Sequence, residues 1–437
     1  MNSNEFYELE LSVFTALEGK LSNITSESEV NSYIERVIKS IKPTSTREDM
    51  DNIIKDAKSF GAIDKYVNND DIEDIMVNNT SNVFVYKSDA GMVKVQEKVN
   101  SKMELTLMVA KMKMYNTNST ANRNIFDVHL PNGSRANIVD TPMGPDITIR
   151  NFKNRALSVI DLVNFGEFSW NMAARLWLYA DGMNIRPANM LLGGMPAAGK
   201  TTLLNSLFSF FRPESRVAVI EDTYELNTFT QENCVRLETS IDLSMEDLVR
   251  NTLRMRPDII IIGEVRGAEA KDMMTAMNIG KVCISTIHAS TTRDIVTRLE
   301  HSPMNIDKDI IPLIDALVVM SRVKEGNKYR RKITQVSEIS GFETQVLLSD
   351  LYTYDYKTHK SSDILPSITY RDALSKLTGF SPTEIINEEK RRAKVLEKLN
   401  QIGVRNLAEI NEFCKEYYDN QGRALAKIGL QSLGTLE

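Results

Sequence analysis

Nine consecutive residues carry the densest chemistry in the chain: Gly194, Met195, Pro196, Ala197, Ala198, Gly199, Lys200, Thr201 and Thr202. Their types and spacing satisfy the pattern G-x-x-x-x-G-K-[ST], in which backbone N–H groups cradle phosphates and the lysine reaches the β and γ oxygens. The hydroxyl of Thr201 is of the kind that ligates Mg²⁺ beside such a cradle. The apolar run Met190-Leu191-Leu192 predicts a short strand entering the loop, and Thr202 to Phe208 predicts a helix leaving it. The N-terminus of that helix adds a positive dipole end to the phosphate site. The chemistry implied is phosphoryl transfer from ATP, with Mg²⁺ as cofactor.

Three further stretches deliver side chains suited to the same reaction. Arg216-Val217-Ala218-Val219-Ile220 reads as a buried strand ending in Glu221-Asp222, and Ile259 to Ile262, the most apolar strand, closes on Gly263-Glu264-Val265-Arg266. In open α/β sheets, ligands bind beyond the carboxyl ends of the strands. An apolar strand with an acid at its tip is the arrangement in which a carboxylate holds Mg²⁺ directly or through water. Glu264 is therefore assigned, with Thr201, to the metal, and Glu221 to polarising the attacking water, roles that the residues alone leave exchangeable. A third strand, Val282 to Ile287, ends on His288, one of four histidines. A solitary histidine is commonly a structural hydrogen-bonder, but beside two acidic strand tips it is placed to read a γ-phosphate. The reaction also needs cationic help beyond one lysine; Arg254, Arg256 and Arg266 lie nearest in sequence.

These side chains must be positioned by an alternation of strands and helices after the loop, which predicts a mostly parallel sheet. The fold class expected is α/β: a RecA-like domain over 189–360, preceded by a smaller α+β domain over 67–155 and a helical segment over 1–66. The helical segment rests on apolar stripes at helical spacing (Phe6, Leu9, Val13; Val30, Ile34, Val37) and on a capping box formed by Ser45 and Glu48. Short apolar runs separated by Asn, Ser, Asp and Gly predict the strands of the α+β domain, with Arg135 and Arg150 at alternating strand positions. Residues 156–188 read as a linker carrying one helix, with a boundary near 155. Residues 361–437 read as helical, with a capped start at Ser381-Pro382-Thr383-Glu384 and another at Asn406.

With 437 residues, 42% of them hydrophobic and 26% charged, the chain has the composition of a globular protein of more than one domain. A net charge of −6 argues against the basic footprint of a general nucleic-acid binder, so no direct nucleic-acid contact is expected. Three cysteines without C-x-x-C spacing argue against a disulfide framework and a zinc site, and favour a cytoplasmic location. No run approaches the roughly 18 apolar residues of a spanning helix. Any role at a membrane is therefore expected to run through partners.

Taken in order, Gly194 to Thr201, Val219-Ile220-Glu221-Asp222-Thr223 with Glu225, Leu253 to Asp258 running into Gly263-Glu264-Val265-Arg266-Gly267, and Ser285-Thr286-Ile287-His288-Ala289 resemble the secretion-ATPase superfamily of type II and type IV machines. They match its Walker A, Asp box, Walker B and His box. Leu130-Pro131-Asn132-Gly133-Ser134-Arg135 and Ile147-Thr148-Ile149-Arg150-Asn151-Phe152 are similar to the N-terminal domain of the tight-adherence (Flp) pilus assembly ATPases. The resemblance covers about residues 70 to 355. It implies a homo-oligomeric ring, a hexamer, that is cytoplasmic, peripheral to the inner face of the membrane, and coupled to an integral platform protein of a pilus or secretion machine. It also implies that Arg135 and Arg150 approach the γ-phosphate as catalytic cations. Two departures stand out: members usually have a third glycine inside the phosphate loop, and a Gly-His pair where this chain has Gly280-Lys281. A RecA-like nucleic-acid translocase and a nucleotide-gated ring without turnover are the competing readings.

Overall fold

The computed structural model describes residues 3–22, 24, 26–87, 90–116, 124–142, 144–152, 156–240, 242–326 and 328–435. The chain divides into two compact units, Met1–Arg155 and Ala156–Glu437. The boundary expected near 155 falls on residues 153–155, which lie outside the described residues.

The first unit opens with helices α1 (Ser3–Ala16), α2 (Glu27–Ile41), α3 (Arg47–Ala57) and α4 (Asp64–Val67). Strands β1 (Ile72–Asn79), β2 (Asn82–Lys87) and β3 (Gly91–Lys94), helix α5 (Lys102–Lys113), then β4 (Ile125–His129), β5 (Arg135–Thr141) and β6 (Gly144–Arg150) follow. The six strands form an antiparallel sheet in the order β3-β2-β1-β6-β5-β4. Strand alternation buries Ala136, Ile138, Ile147 and Ile149 against Leu105, Met108 and Met112 of α5. The other side of α5 is buried too: Ala110 and Met114 join the core of α1–α3, and Lys111, almost wholly buried, pairs with Asp56 at 2.6 Å. Helix α5 thus lies between sheet and helical layer: α1–α3 pack on it in a core of their own, and Phe60 and Ile63 join the core of the strands.

The second unit contains α6 (Val159–Asn164), α7 (Trp170–Asp181), β7 (Met190–Gly194), α8 (Lys200–Ser206), β8 (Val217–Glu221), β9 (Cys234–Glu238), α9 (Met245–Thr252) and β10 (Ile259–Ile262). It continues with α10 (Glu269–Asn278), β11 (Val282–Ile287), α11 (Thr292–Glu300), β12 (Ala316–Glu325), β13 (Lys328–Phe342), β14 (Val346–Asp355) and β15 (Lys360–Asp363). Helices α12 (Thr369–Thr378), α13 (Pro382–Gln401), α14 (Leu407–Asp419) and α15 (Gln421–Lys427) complete it. Its sheet runs β15-β14-β13-β12-β7-β11-β10-β8-β9. The six strands from β12 to β9 are parallel, and β13, β14 and β15 extend them antiparallel. Both faces of the parallel part are covered, which is why its strands read as unbroken apolar runs. Ile259 and Ile261 enter one core, Ile260 and Ile262 the other.

Residues 156–188 are not a free connection. Val159, Ile160, Trp177 and Tyr179 are fully buried in the same core as Leu192, Leu396, Ile410 and Cys414, so α6 and α7 and the C-terminal helices form one layer on the sheet. Trp177 stacks on Phe210 at 5.2 Å, and the guanidinium of Arg392 sits over its ring at 4.8 Å while pairing with Asp181 at 2.7 Å. Glu338 on β13 clasps this layer. Its Oε1 accepts from Tyr179 Oη at 2.9 Å and Ser367 Oγ at 2.5 Å, and its Oε2 accepts the N–H groups of Ile368, Thr369 and Tyr370 at 2.8 to 3.2 Å. Glu338→Ala leaves those donors buried without an acceptor, and should lower stability to chemical denaturation by about 3 kcal/mol. An unchanged denaturation midpoint would show that the clasp contributes nothing.

Candidate functional site

Strand β7, the middle strand of the nine-stranded sheet, ends on Gly194, and the loop that follows enters α8 at Lys200. Gly194 has φ 159°, and a Cβ there would stand 2.7 Å from the carbonyl oxygen of Met320, so only glycine admits this close approach to β12. Gly199 caps α8 with φ 100°, and Ala197 between them has φ 61°. A left-handed conformation costs a non-glycine residue about 1 kcal/mol, so the loop keeps its curled form against a local penalty. Lys200, 8% exposed, donates from Nζ to the carbonyl of Gly194 at 2.7 Å and lies 3.4 Å from that of Met195. Thr201 and Thr202 follow in the first turn of the helix, partly exposed.

The three neighbouring parallel strands bring the predicted acids and histidine together in this unit. Glu221 is the last residue of β8, Glu264 follows β10, and His288 follows β11. Interstrand bonds lock the tips: Gly263 N–H donates to Ile220 O at 2.7 Å, Val265 N–H to Thr286 O at 2.9 Å, and Thr286 Oγ1 to Gly263 O at 2.7 Å. A Cβ on Gly263 would meet Glu221 Cγ at 3.2 Å, which places the two acidic tips side by side.

The two carboxyl groups sit in different surroundings. Glu221 is 3% exposed; its Oε1 accepts the N–H groups of Glu225 and Leu226, both at 2.9 Å. Its Oε2 has no hydrogen-bond partner among the described residues, with Arg236 Nη2 3.5 Å away. Burial pushes its pKa up to about 7, against the pull of the two N–H donors and Arg236. Glu264 is more open. Its Oε1 lies 2.7 Å from His288 Nε2 and its Oε2 3.2 Å from Arg266 Nε. Burial, and then the Lys200 ammonium, hold His288 below the usual imidazole value despite Glu264, so Lys200, Glu264 and His288 act within one another's field. Arg266 also pairs with Asp222 at 2.6 Å. Arg256 lies at the opposite end of β10 from Glu264.

Arg135 and Arg150 belong to the first unit, where they are directly opposite each other on β5 and β6. They share the sheet face opposite α5, in a row that continues to His129 on one side and Asp74 on the other. Arg135 Nη2 lies 3.3 Å from Asp127 Oδ1.

Three residues of the second unit's site were not anticipated. Arg236 stands beside Glu221 with its guanidinium over the Tyr224 ring at 4.1 Å, and Glu269 Oε1 accepts the N–H groups of Arg266 and Gly267 at 2.5 and 2.8 Å. Arg331 on β13 donates from Nε to the carbonyl of Ala197 at 3.1 Å. The run Lys328 to Lys332 signals charge, but nothing in it singles out one arginine.

A phosphate loop between a central parallel strand and its helix, with carboxyl groups at neighbouring strand tips, defines a P-loop ATPase with a RecA-like core. The sequence model of the type II/IV secretion system protein family matches residues 56–336, and the chain belongs to that family. An uncharacterized protein of Methanocaldococcus jannaschii is 28% identical over 431 residues, covering 93% of this chain and 77% of its own. A probable conjugal transfer protein, TrbB, of Sinorhizobium fredii is 32% identical over 195 residues, 43% of this chain and 58% of its own. Among solved structures, the Legionella pneumophila ATPase DotB is similar with a TM-score of 0.45 and 16% identity, over 85% of this chain and 96% of that one. No described helix is long and apolar enough to cross a membrane.

Proposed function

We propose that this chain is a Mg²⁺-dependent ATPase that powers pilus assembly or protein secretion, nearest in kind to the tight-adherence pilus motors. It works as a hexameric ring at the cytoplasmic face of the membrane, coupled to an integral platform protein. The observation that carries the reading is the convergence of Lys200, Glu264 and His288 beside the Gly194–Gly199 cradle.

The donor set fits the metal. Among the described residues no group of three His, Cys, Asp or Glu side chains could hold an ion. Mg²⁺ bound with a nucleotide needs only one or two protein oxygens, because phosphate oxygens and water supply the rest. Thr201 and Glu264 provide such oxygens. The ion, when bound, neutralises charge developing on the β and γ oxygens. Lys200 exchanges its loop carbonyls for phosphate oxygens. Glu221, held by two backbone N–H groups, presents Oε2 as the acceptor for the proton of the attacking water. His288, kept neutral, donates a hydrogen bond that reports whether a γ-phosphate is present.

Phosphate release in the steady state, with and without DNA or RNA, tests the class: turnover unstimulated by nucleic acid is expected, stimulation supports a translocase, and no turnover supports a static ring. The pH dependence tests Glu221. Only its ionised form accepts a proton, so the rate should rise as pH passes upward through about 7, and Glu221→Gln should remove that limb. Stability runs the other way. A carboxyl whose folded pKa lies above its unfolded value stabilises the fold fully below pH about 4.5, and this is lost as pH rises through about 7. A limb that survives Glu221→Gln and vanishes in Glu264→Gln would exchange the roles of the two acids.

A further inference from the structure

The phosphate loop has alanine at position 197, yet its backbone there is left-handed, with φ 61°. A glycine would occupy that region freely, whereas the Cβ of alanine biases the free loop away from it. Within the loop, Ala198 N–H donates to Met195 O at 3.1 Å and Lys200 Nζ to Gly194 O at 2.7 Å; from outside it, the β12–β13 hairpin adds a further support.

Arg331 Nε donates to the carbonyl of Ala197 itself, at 3.1 Å. The stem of the same side chain covers Gly199, whose Cβ, if present, would stand 3.1 Å from Arg331 Cδ. Arg331 is in turn anchored by its chain neighbours. Lys332 Nζ donates to Gly166 O at 2.7 Å, and Ile333 N–H to Glu167 O at 3.0 Å, fixing β13 to the turn after α6. Met320, on the adjacent strand β12, backs Gly194 with its carbonyl and Gly199 with its methyl. A rigid two-stranded support thus ends in one guanidinium that grips the strained residue.

We propose that Arg331 is a positioning residue that holds the glycine-poor phosphate loop in its cradle conformation and so sets nucleotide affinity. The proposal rests on the nucleotide reading of the loop and goes beyond it by making affinity depend on a residue 134 positions later in the chain. If only the curled loop binds, apparent affinity falls in proportion to the fraction of molecules that keep the curl.

The test is a mutant cycle on the full chain, read by binding of the fluorescent nucleotide mant-ADP and by steady-state ATP turnover. Arg331→Ala should weaken mant-ADP binding about tenfold, as loss of a hydrogen bond from a charged donor implies. It should raise KM for ATP comparably and leave kcat within about twofold. Ala197→Gly removes the need for the grip, so Arg331→Ala made in that background should cost less than about twofold. Restored binding in the double variant also excludes misfolding as the cause of the loss, and Arg331→Gln in both backgrounds runs the same comparison with a smaller change. Parental affinity in Arg331→Ala would overturn the inference. So would an equal tenfold loss in both backgrounds, which would make Arg331 a ligand contact instead of a support for the loop. Failure of the parental protein to bind mant-ADP would remove the nucleotide reading and this inference with it.

Discussion

Lys200→Ala abolishes nucleotide binding, and Glu264→Gln retains binding while losing turnover; this split is the expected result that most directly separates the parts of the site. Lys200 is held against the loop carbonyls of Gly194 and Met195, so its ammonium already lies at the cradle. Its removal takes away the charge that the bound phosphates need, in a site where solvent cannot replace it, and affinity should fall by at least a hundredfold. Glu264 stands further out, between His288 and Arg266. Glutamine keeps its shape and its hydrogen-bonding reach but not its negative charge, so the fold and the loop should persist while the charge proposed to serve Mg²⁺ is lost. Loss of one correctly placed acid or base typically costs 10² to 10⁴ in rate. Nucleotide affinity and phosphate release, measured on the same preparations, check both halves. Parental hydrolysis in Glu264→Gln would remove Glu264 from the catalytic set.

The phosphate loop and the strand tips were readable because their residue types serve local geometry and both-face burial at once. The four isoleucines of β10 alternate between two cores, a pattern that only a buried parallel strand requires. Elsewhere local signals competed. Ser45 with Glu48 and Thr46 with Asp49 are overlapping capping patterns; the chain uses the second, because Ser45 Oγ instead donates to Lys42 O at 2.8 Å. Residues 156–188 read as a linker because the partners of Trp177, Tyr417 and Arg392 among them, come more than two hundred residues later. Glu338 and Arg331 were invisible for a related reason. Each acts through the register of the antiparallel extension β12–β13–β14, with a bulge at Val319/Met320, and that register is not encoded in any short stretch. What the sequence hides here is the set of side chains that support the site from a distance.

Arg135→Ala and Arg150→Ala should each cut turnover at least tenfold, and the double variant by about 10³ or more, the range associated with arginine fingers. The two arginines are register partners on adjacent strands, on the face of the first unit's sheet away from α5. Like charges directly opposite each other destabilise a sheet, and Asp127, 3.3 Å from Arg135, offsets part of that cost. Two arginines at paired positions suit an anion carrying more than one charge, and a γ-phosphate in transfer is such a group. In the second unit Arg266 is engaged by Asp222 and Glu264, and Arg256 precedes β10 at the end away from its catalytic tip. We therefore propose, as the family resemblance implies, that Arg135 and Arg150 serve the reaction as catalytic cations. Because neither arginine contributes to the hydrophobic core, ATP affinity and the thermal midpoint should stay near parental values. Turnover, mant-ADP affinity and thermal melting on the same three variants decide the matter. A double variant with parental turnover would reduce the pair to surface charges and move the missing cation to Arg256 or to an Arg266 released from its acids.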